Sequence, residues 1–240
     1  MATDTVTAAS LTPPADIRNR IIDALMELAS ERVFDEITIN DIARRAGITL
    51  AQFRDHFPSK GAVLSGFTKR IDRLVLEGTS DDLLGEPAKD RLFDVLMRRL
   101  DAMAPYKLAI ESIMEWVLRD PLSAAALNRE VVNAMRFMLE AAEIDSEGTL
   151  GAIKLQGLAL AWTRILDIWL RDHEPDQSRT MAALDRELTR GGQLVARAED
   201  LNRLATPLRS LARAAIDVPR SFGERMRNRT SARDDDVEMT

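Results

Sequence analysis

Not one cysteine occurs in the 240 residues. That excludes disulfide bonds, thiolate metal centres and cysteine nucleophiles, and it suits a reducing compartment. Histidine is nearly as scarce: His56 and His173 are the only two, too far apart in sequence to suggest a local metal motif. Aromatic residues make up 5%, and the 11 glycines and 9 prolines gather at apparent boundaries, which favours helices. No charge-free apolar run approaches the roughly 18 residues that a membrane-spanning helix needs. The opening MATDTVTAASLTPPAD has no basic stretch leading into an apolar one, so no signal peptide is expected. What is present is a chain 45% hydrophobic and 30% charged, long enough for a sizeable core and one or two domains. A helical, soluble, cytoplasmic protein is the expectation.

The net charge of -6 is unevenly spread. Residues 17–73 hold ten basic against eight acidic side chains, and residues 74–200 fifteen against twenty-three. Residues 201–233 then hold eight against two, before the acidic DDDVE near the end. An acidic body between two more basic segments points any anionic partner toward the ends, although the small N-terminal excess is also ordinary surface charge.

Residues 1–15 read as a disordered tail ending at Pro13-Pro14. In IRNRIIDALMELASERVF the apolar positions Ile17, Ile21, Leu25 and Leu28 recur at helical spacing. TIND then predicts a short second helix capped by Thr38, with Asp41 at the third position, and Gly47 suits the turn that ends it. TLAQ repeats the pattern: Thr49 caps a third helix and Gln52 reaches back. Phe53 and Phe57 lie one turn apart on its buried side, and Ser59 caps a fourth helix after Pro58. Three short helices with a Gly-containing turn between the second and third make a helix-turn-helix unit over residues 16–64. Residues 78–89 read as a linker, and helical patterns follow at about 89–103, 105–119, 121–142, 149–172 and 177–198.

The segment IIDALMELASERVFDEITINDIARRAGIT, followed by HFPSK, resembles the DNA-binding domain of the TetR family of bacterial repressors. The resemblance implies an all-α fold: an N-terminal three-helix helix-turn-helix domain and a C-terminal helical domain, residues 65–198, that dimerises and binds a ligand. It further implies a homodimer on double-stranded DNA with a palindromic operator. Carried over residue by residue, Thr38 and Lys60 would hold phosphates, with Arg44 also at the DNA surface. Thr49, Leu50, Ala51 and Gln52 would face the major groove, where Gln52 suits an adenine edge and Leu50 and Ala51 thymine methyls. Arg54 stands where the family commonly has an aromatic, and offers a charge-assisted backbone contact instead. Asp55 opposes phosphates, and either pairs with Arg54 or accepts a bond from cytosine N4. Gly61 replaces the usual acid after the Lys. Thr38, Thr49 and Ser59 serve as caps on either reading.

A second resemblance lies in LAWTRILDIWLRDHEPDQSRTMAALDRELTRG, residues 160–191, which is similar to the TetR-like lipid-binding accessory proteins of ubiquinone biosynthesis. It implies, as the alternative function, a lipid- or quinone-intermediate-binding protein that associates with membranes. Leu201, Leu204, Leu208 and Leu211 line one face of an expected amphipathic helix over 199–217, and the tail 218–240 is Arg-rich, then acidic. Residues 200–229 therefore either pack on the protein or make peripheral membrane contact.

Tyr106, Ile110, Met114, Met135, Met138, Trp162 and Trp169 sit on the central helices and are the candidate lining of an apolar pocket, or else plain core. The effector expected there is apolar or amphipathic. With no phosphate-cradling Gly loop, no Glu-x-x-His pair and no evident strand, no cofactor, metal or catalytic residue is expected. The reading is a ligand-responsive DNA-binding regulator rather than an enzyme.

Overall fold

The computed structural model describes residues 14–78 and 85–197. The tail before residue 14, the middle of the expected linker, the amphipathic segment 199–217 and the tail 218–240 lie outside them. The described residues up to 191 form one compact unit, and residues 192–197, which belong to a second, are helical. Among the described residues every regular element is a helix.

The first helix, α1, runs Pro14–Glu31. It starts three residues earlier than its apolar periodicity suggested, because proline suits the first helical position and Asp16 favours the first turn. Its inner face is dry: Ile21, Ile22, Leu25, Met26 and Leu28 are all buried. Each such side chain contributes roughly 1.5–3 kcal/mol of transfer free energy, which an 18-residue helix could not match from propensity alone. A 3-10 turn at Phe34–Glu36 leads into α2 (Ile39–Ala46), α3 (Leu50–His56) and α4 (Lys60–Glu77). The expected boundary at residue 64 falls inside α4, one unbroken helix. Its first half packs on α1, where Gly66 approaches Phe57 and Ile22; farther along, Asp72 pairs with α5.

The larger helical region comprises α5 (Ala88–Met103), α6 (Lys107–Arg119), α7 (Pro121–Ala141) and α8 (Gly148–Arg171), with a further helix, α9, over 178–197. These ranges lie within two residues of the periodicity-based expectations. Asp120 caps α7 through the amides of Leu122 and Ser123, with Pro121 at the first helical position. Asp172, at the end of α8, is buried and accepts from the Thr180 amide at 2.9 Å and the Thr180 hydroxyl at 2.7 Å. This bond clamps the start of α9 to the end of α8.

The helix-turn-helix and the larger region share an interface built by α1 and α6. The Phe34 amide donates to Ser112 Oγ at 3.1 Å, and Ser112 Oγ donates to the Arg32 carbonyl at 3.2 Å. The Phe34 ring packs against Trp116 at a tilt of 47°, with centroids 4.8 Å apart. On the other side Arg70 bonds Asp23 at 2.6 Å and the Tyr106 hydroxyl at 3.2 Å, tying α4 to α1 and to the entrance of α6.

Candidate nucleic-acid interface and effector site

Two capping boxes build the helix-turn-helix. At α2, Thr38 Oγ1 accepts from the Asp41 amide at 3.1 Å, while Asp41 accepts from the Thr38 amide at 3.0 Å. At α3, Thr49 Oγ1 accepts from the Gln52 amide at 3.2 Å, and Gln52 Oε1 accepts from the Thr49 amide at 2.9 Å. Each box satisfies donors that a helix start leaves open. Between them Gly47 takes φ 63°, the left-handed conformation that ends α2 and swings the chain into α3. Arg20 of α1 closes the corner from outside by donating to the carbonyls of Ala46 and Gly47. Phe53 and Phe57 pin α3 from below, their rings 6.4 Å apart, and the Arg18 guanidinium lies 4.2 Å over Phe57.

What this frame leaves outward is a continuous exposed face: Thr49, Leu50, Ala51, Gln52, Arg54 and Asp55. Leu50 is half exposed although large and apolar, a placement that favours contact with something other than water. Gln52 is committed in part, because its carbonyl oxygen holds the capping box while its amide nitrogen stays free to donate. Arg54 and Asp55 have no side-chain partner among the described residues, so the pairing considered for them does not form. Asp55 therefore stands exposed beside the other outward residues of α3 with no cation paired to it among the described residues.

Of the two cations expected at the DNA side of this unit besides Arg54, Arg44 lies at the surface and Lys60 turns inward. Arg44, largely exposed, pairs with Asp41 on its own helix. Asp41 is held down at about 2, first by the Thr38 hydroxyl, then by the Thr38 amide and Arg44. Lys60 turns inward: its ammonium donates to the carbonyls of Phe34 at 2.8 Å and Ile37 at 2.9 Å, 4.4 Å from the Phe34 ring. Its half-buried position lowers its affinity for a proton by desolvation. Here Lys60 is a brace for the turn before α2 rather than a free cation at the surface. Arg18 and Arg20, which the motif comparison did not single out, are the cations that support the recognition unit from α1. Nothing in their local spacing marks them for this, since residues two apart on a helix do not share a face.

The candidate effector residues divide. Ile110, Met135, Met138, Trp162 and Trp169 are buried and packed into the core, and Met114 is half-buried against it. Lys107 Nζ lies 5.1 Å from the Trp169 ring while donating to the Asp172 carbonyl at 2.5 Å. Tyr106 stands apart, edge-on to Phe67 at 5.0 Å, on an open groove of about 540 Å³ between α1 and the start of α6. Asp23, Met26, Glu27 and Ser30 form its other wall. All seven residues thus pack in or against the core, and Tyr106 also lines the groove. Among the described residues, no helix is long and apolar enough to cross a membrane.

Comparison with known proteins agrees with this frame. Residues 21–66 match the family model described as bacterial regulatory proteins, tetR family. The chain is 26% identical over 170 residues to the HTH-type transcriptional repressor KstR of Rhodococcus jostii, covering 70% of this chain and 76% of that protein. In fold it is similar to the TetR transcriptional regulator from Nitrosomonas europaea, with a TM-score of 0.60 and 22% identity over 74% of this chain and 98% of that one. A TetR transcriptional regulator from Rhodococcus sp. RHA1 aligns at a TM-score of 0.55 and 19% identity, over 74% and 96% of the two chains. Residues 21–66 thus carry a helix-turn-helix domain of the tetR family, and the chain shares the fold of TetR transcriptional regulators.

Proposed function

We propose that the protein is a cytoplasmic, homodimeric DNA-binding repressor that an apolar or amphipathic ligand releases from its operator. The observation that carries this reading is the exposed face of α3, which two capping boxes and the left-handed Gly47 hold outward while Phe53 and Phe57 anchor the opposite side. A short helix presented in this way fits the major groove, and two copies read two half-sites about one turn of DNA apart. The relationship to a repressor over three quarters of that protein supports the same direction of control.

The homodimer reading draws on α8. Ile153, Gln156, Gly157, Leu160 and Arg164 follow one another along it at helical spacing and are all exposed, with Ile153 and Leu160 more than half so. An apolar stripe with a glycine at its centre permits close approach of a second copy. The effector reading draws on the Met- and Trp-rich core, and release is then a coupling between that core and the spacing of two α3 helices.

The test is a titration of the purified chain with DNA from its own upstream region, at several salt concentrations and against random competitor. A preferred palindromic site, bound by two chains, supports the proposal. Binding that random DNA competes away equally well would sink it.

A further inference from the structure

Arg99 is a charged side chain where the core has no water to offer. It is 5% exposed, on the inner face of α5 among Leu96, Leu100 and Met103. Its Nη1 donates to Asp72 of α4, and lies 3.9 Å from the Met138 sulfur. The guanidinium stands 5.4 Å from the centre of the Trp162 ring. Only this one nitrogen finds acceptors. Nε is fully buried and donates to nothing among the described residues, and no side chain or carbonyl among them accepts from Nη2. A guanidinium has five N–H donors in a rigid fork, and a carboxylate meets two of them at once along one edge. Asp72 takes Nη1 and leaves the Nε–Nη2 edge without a protein partner.

The geometry points to that edge as the anchor for a carboxylate at the end of an apolar effector. This rests on the effector-responsive reading above and gives the effector its chemical class. The apolar body would lie among Met135, Met138 and Trp162, where unbranched thioether chains re-pack more readily than branched ones. The charge arithmetic supplies the regulation. Arg99 and Asp72 are balanced as a pair, and a second carboxylate on the same cation leaves one negative charge in excess in a dry interior. The charge that can leave is Asp72, whose side chain retains 11% exposure while Arg99 is deeper at 5%. Asp72 belongs to α4, whose other end carries Lys60 and the Ser59 cap next to α3. An acid that displaces Asp72 therefore loosens the hold of α5 on the helix that positions the recognition unit. A neutral ligand of the same shape has no such effect.

The experiment titrates the full-length chain with straight-chain carboxylates from octanoate to octadecanoate and with the matched alcohols. Calorimetry reads affinity, and anisotropy of labelled upstream DNA reads release. At least one acid should bind tenfold or more tightly than its alcohol, and should displace DNA where the alcohol does not. Asp72→Asn removes the competing charge and should tighten the acid by about tenfold while leaving the alcohol unchanged. Because Arg99→Met alone strands Asp72, the paired variant Asp72→Leu with Arg99→Met serves as the folded control, and it should bind acid and alcohol alike. Equal affinity for acids and alcohols in the parent chain, an acid preference that survives in the paired variant, or no binding by any acid of the series would each overturn the inference. If the same preparation still selects its upstream site, that failure belongs to the inference alone. An acid preference without DNA selectivity would uphold the anchor and remove the repressor function instead.

Discussion

Lys60 Nζ donates to the carbonyl of Phe34, 26 residues earlier in the chain, at 2.8 Å, and to the Ile37 carbonyl at 2.9 Å. The first residue of α4 thereby holds the turn that enters α2, and Phe34 in turn packs against Trp116 of α6. A single ammonium connects the recognition unit with the helical region behind it. Replacing it by alanine takes this donor from the carbonyls of the buried Phe34 and Ile37, leaving Phe34 only the Ile37 amide at 3.3 Å, at a cost of about 1–3 kcal/mol. Lys60→Ala should therefore lower the unfolding midpoint, while the dependence of DNA affinity on salt stays as in the parent chain. A drop of about 1 in the salt slope with unchanged stability would show instead that Lys60 reaches a phosphate.

Arg54 and Asp55 are neighbours on the exposed side of α3, and neither side chain has a partner among the described residues. On a polyanion their substitutions should act in opposite directions. Arg54→Ala should reduce the salt slope by about 1 and weaken all sequences alike, since a phosphate contact carries no base information. Asp55→Asn should tighten binding by roughly three- to tenfold through loss of repulsion. Anisotropy titrations at several salt concentrations read both. A looser complex in Asp55→Ala, confined to one base position, would mean that the carboxylate reads cytosine.

The recognition unit was legible in the sequence because its information is local. TIND and TLAQ each place donor and acceptor three residues apart, and both boxes form as that spacing requires. The helix ranges were legible for the same reason, being fixed by apolar period, prolines and caps. What was not legible depends on residues far apart in the chain. No pattern around Lys60 reveals that two carbonyls more than twenty residues away will claim it. Nor does the helical period of α5 distinguish Arg99 from its apolar neighbours, since the period says which face is inward and not what waits there. The effector residues show the same limit: Met135, Met138 and Trp162 are buried as their spacing implies, yet burial alone does not say whether they enclose a space. Residues 200–229, where the membrane-contact alternative rested, lie outside the described residues.

Gly66 lies where α4 crosses the end of α3. A Cβ there would stand 2.8 Å from Phe57 Cε1 and 3.3 Å from Ile22 Cδ1, with both neighbours buried. The Phe57 ring has no room to retreat, because Arg18 covers it. Alanine gains helix propensity worth up to about 1 kcal/mol over glycine, but the overlap costs about 1–3 kcal/mol. Gly66→Ala should therefore destabilise on balance and shift α3, lowering both melting temperature and operator affinity. Gly61→Ala is the internal control: its nearest neighbour is Ser59 Oγ at 3.8 Å, so it should stabilise slightly. Equal stabilisation by both substitutions would mean that α4 does not approach Phe57 so closely in solution.

Asp41 links the helix cap to the acid limit of stability. Its carboxylate accepts from the Thr38 hydroxyl at 2.7 Å and from the Thr38 amide at 3.0 Å, and Arg44 pairs with it. These contacts hold it at about 2, against 3.8 for an unperturbed aspartate. The folded value is depressed, so the unfolded chain takes up the proton first as the solution is acidified. The contribution is fully present above about pH 4 and is lost as pH falls toward about 2. Glu31 behaves in the same direction, lowered by its hydrogen bonds from Arg45, as do Asp120 under the Ser123 hydroxyl and Asp172 under the Thr180 hydroxyl. The urea midpoint should thus fall steadily between those limits. In Asp41→Asn, which keeps an acceptor for the cap but cannot titrate, the fall should be shallower and should begin from a lower plateau. An Asp41→Asn profile parallel to the parent chain would show that the α2 cap takes no part in the acid transition.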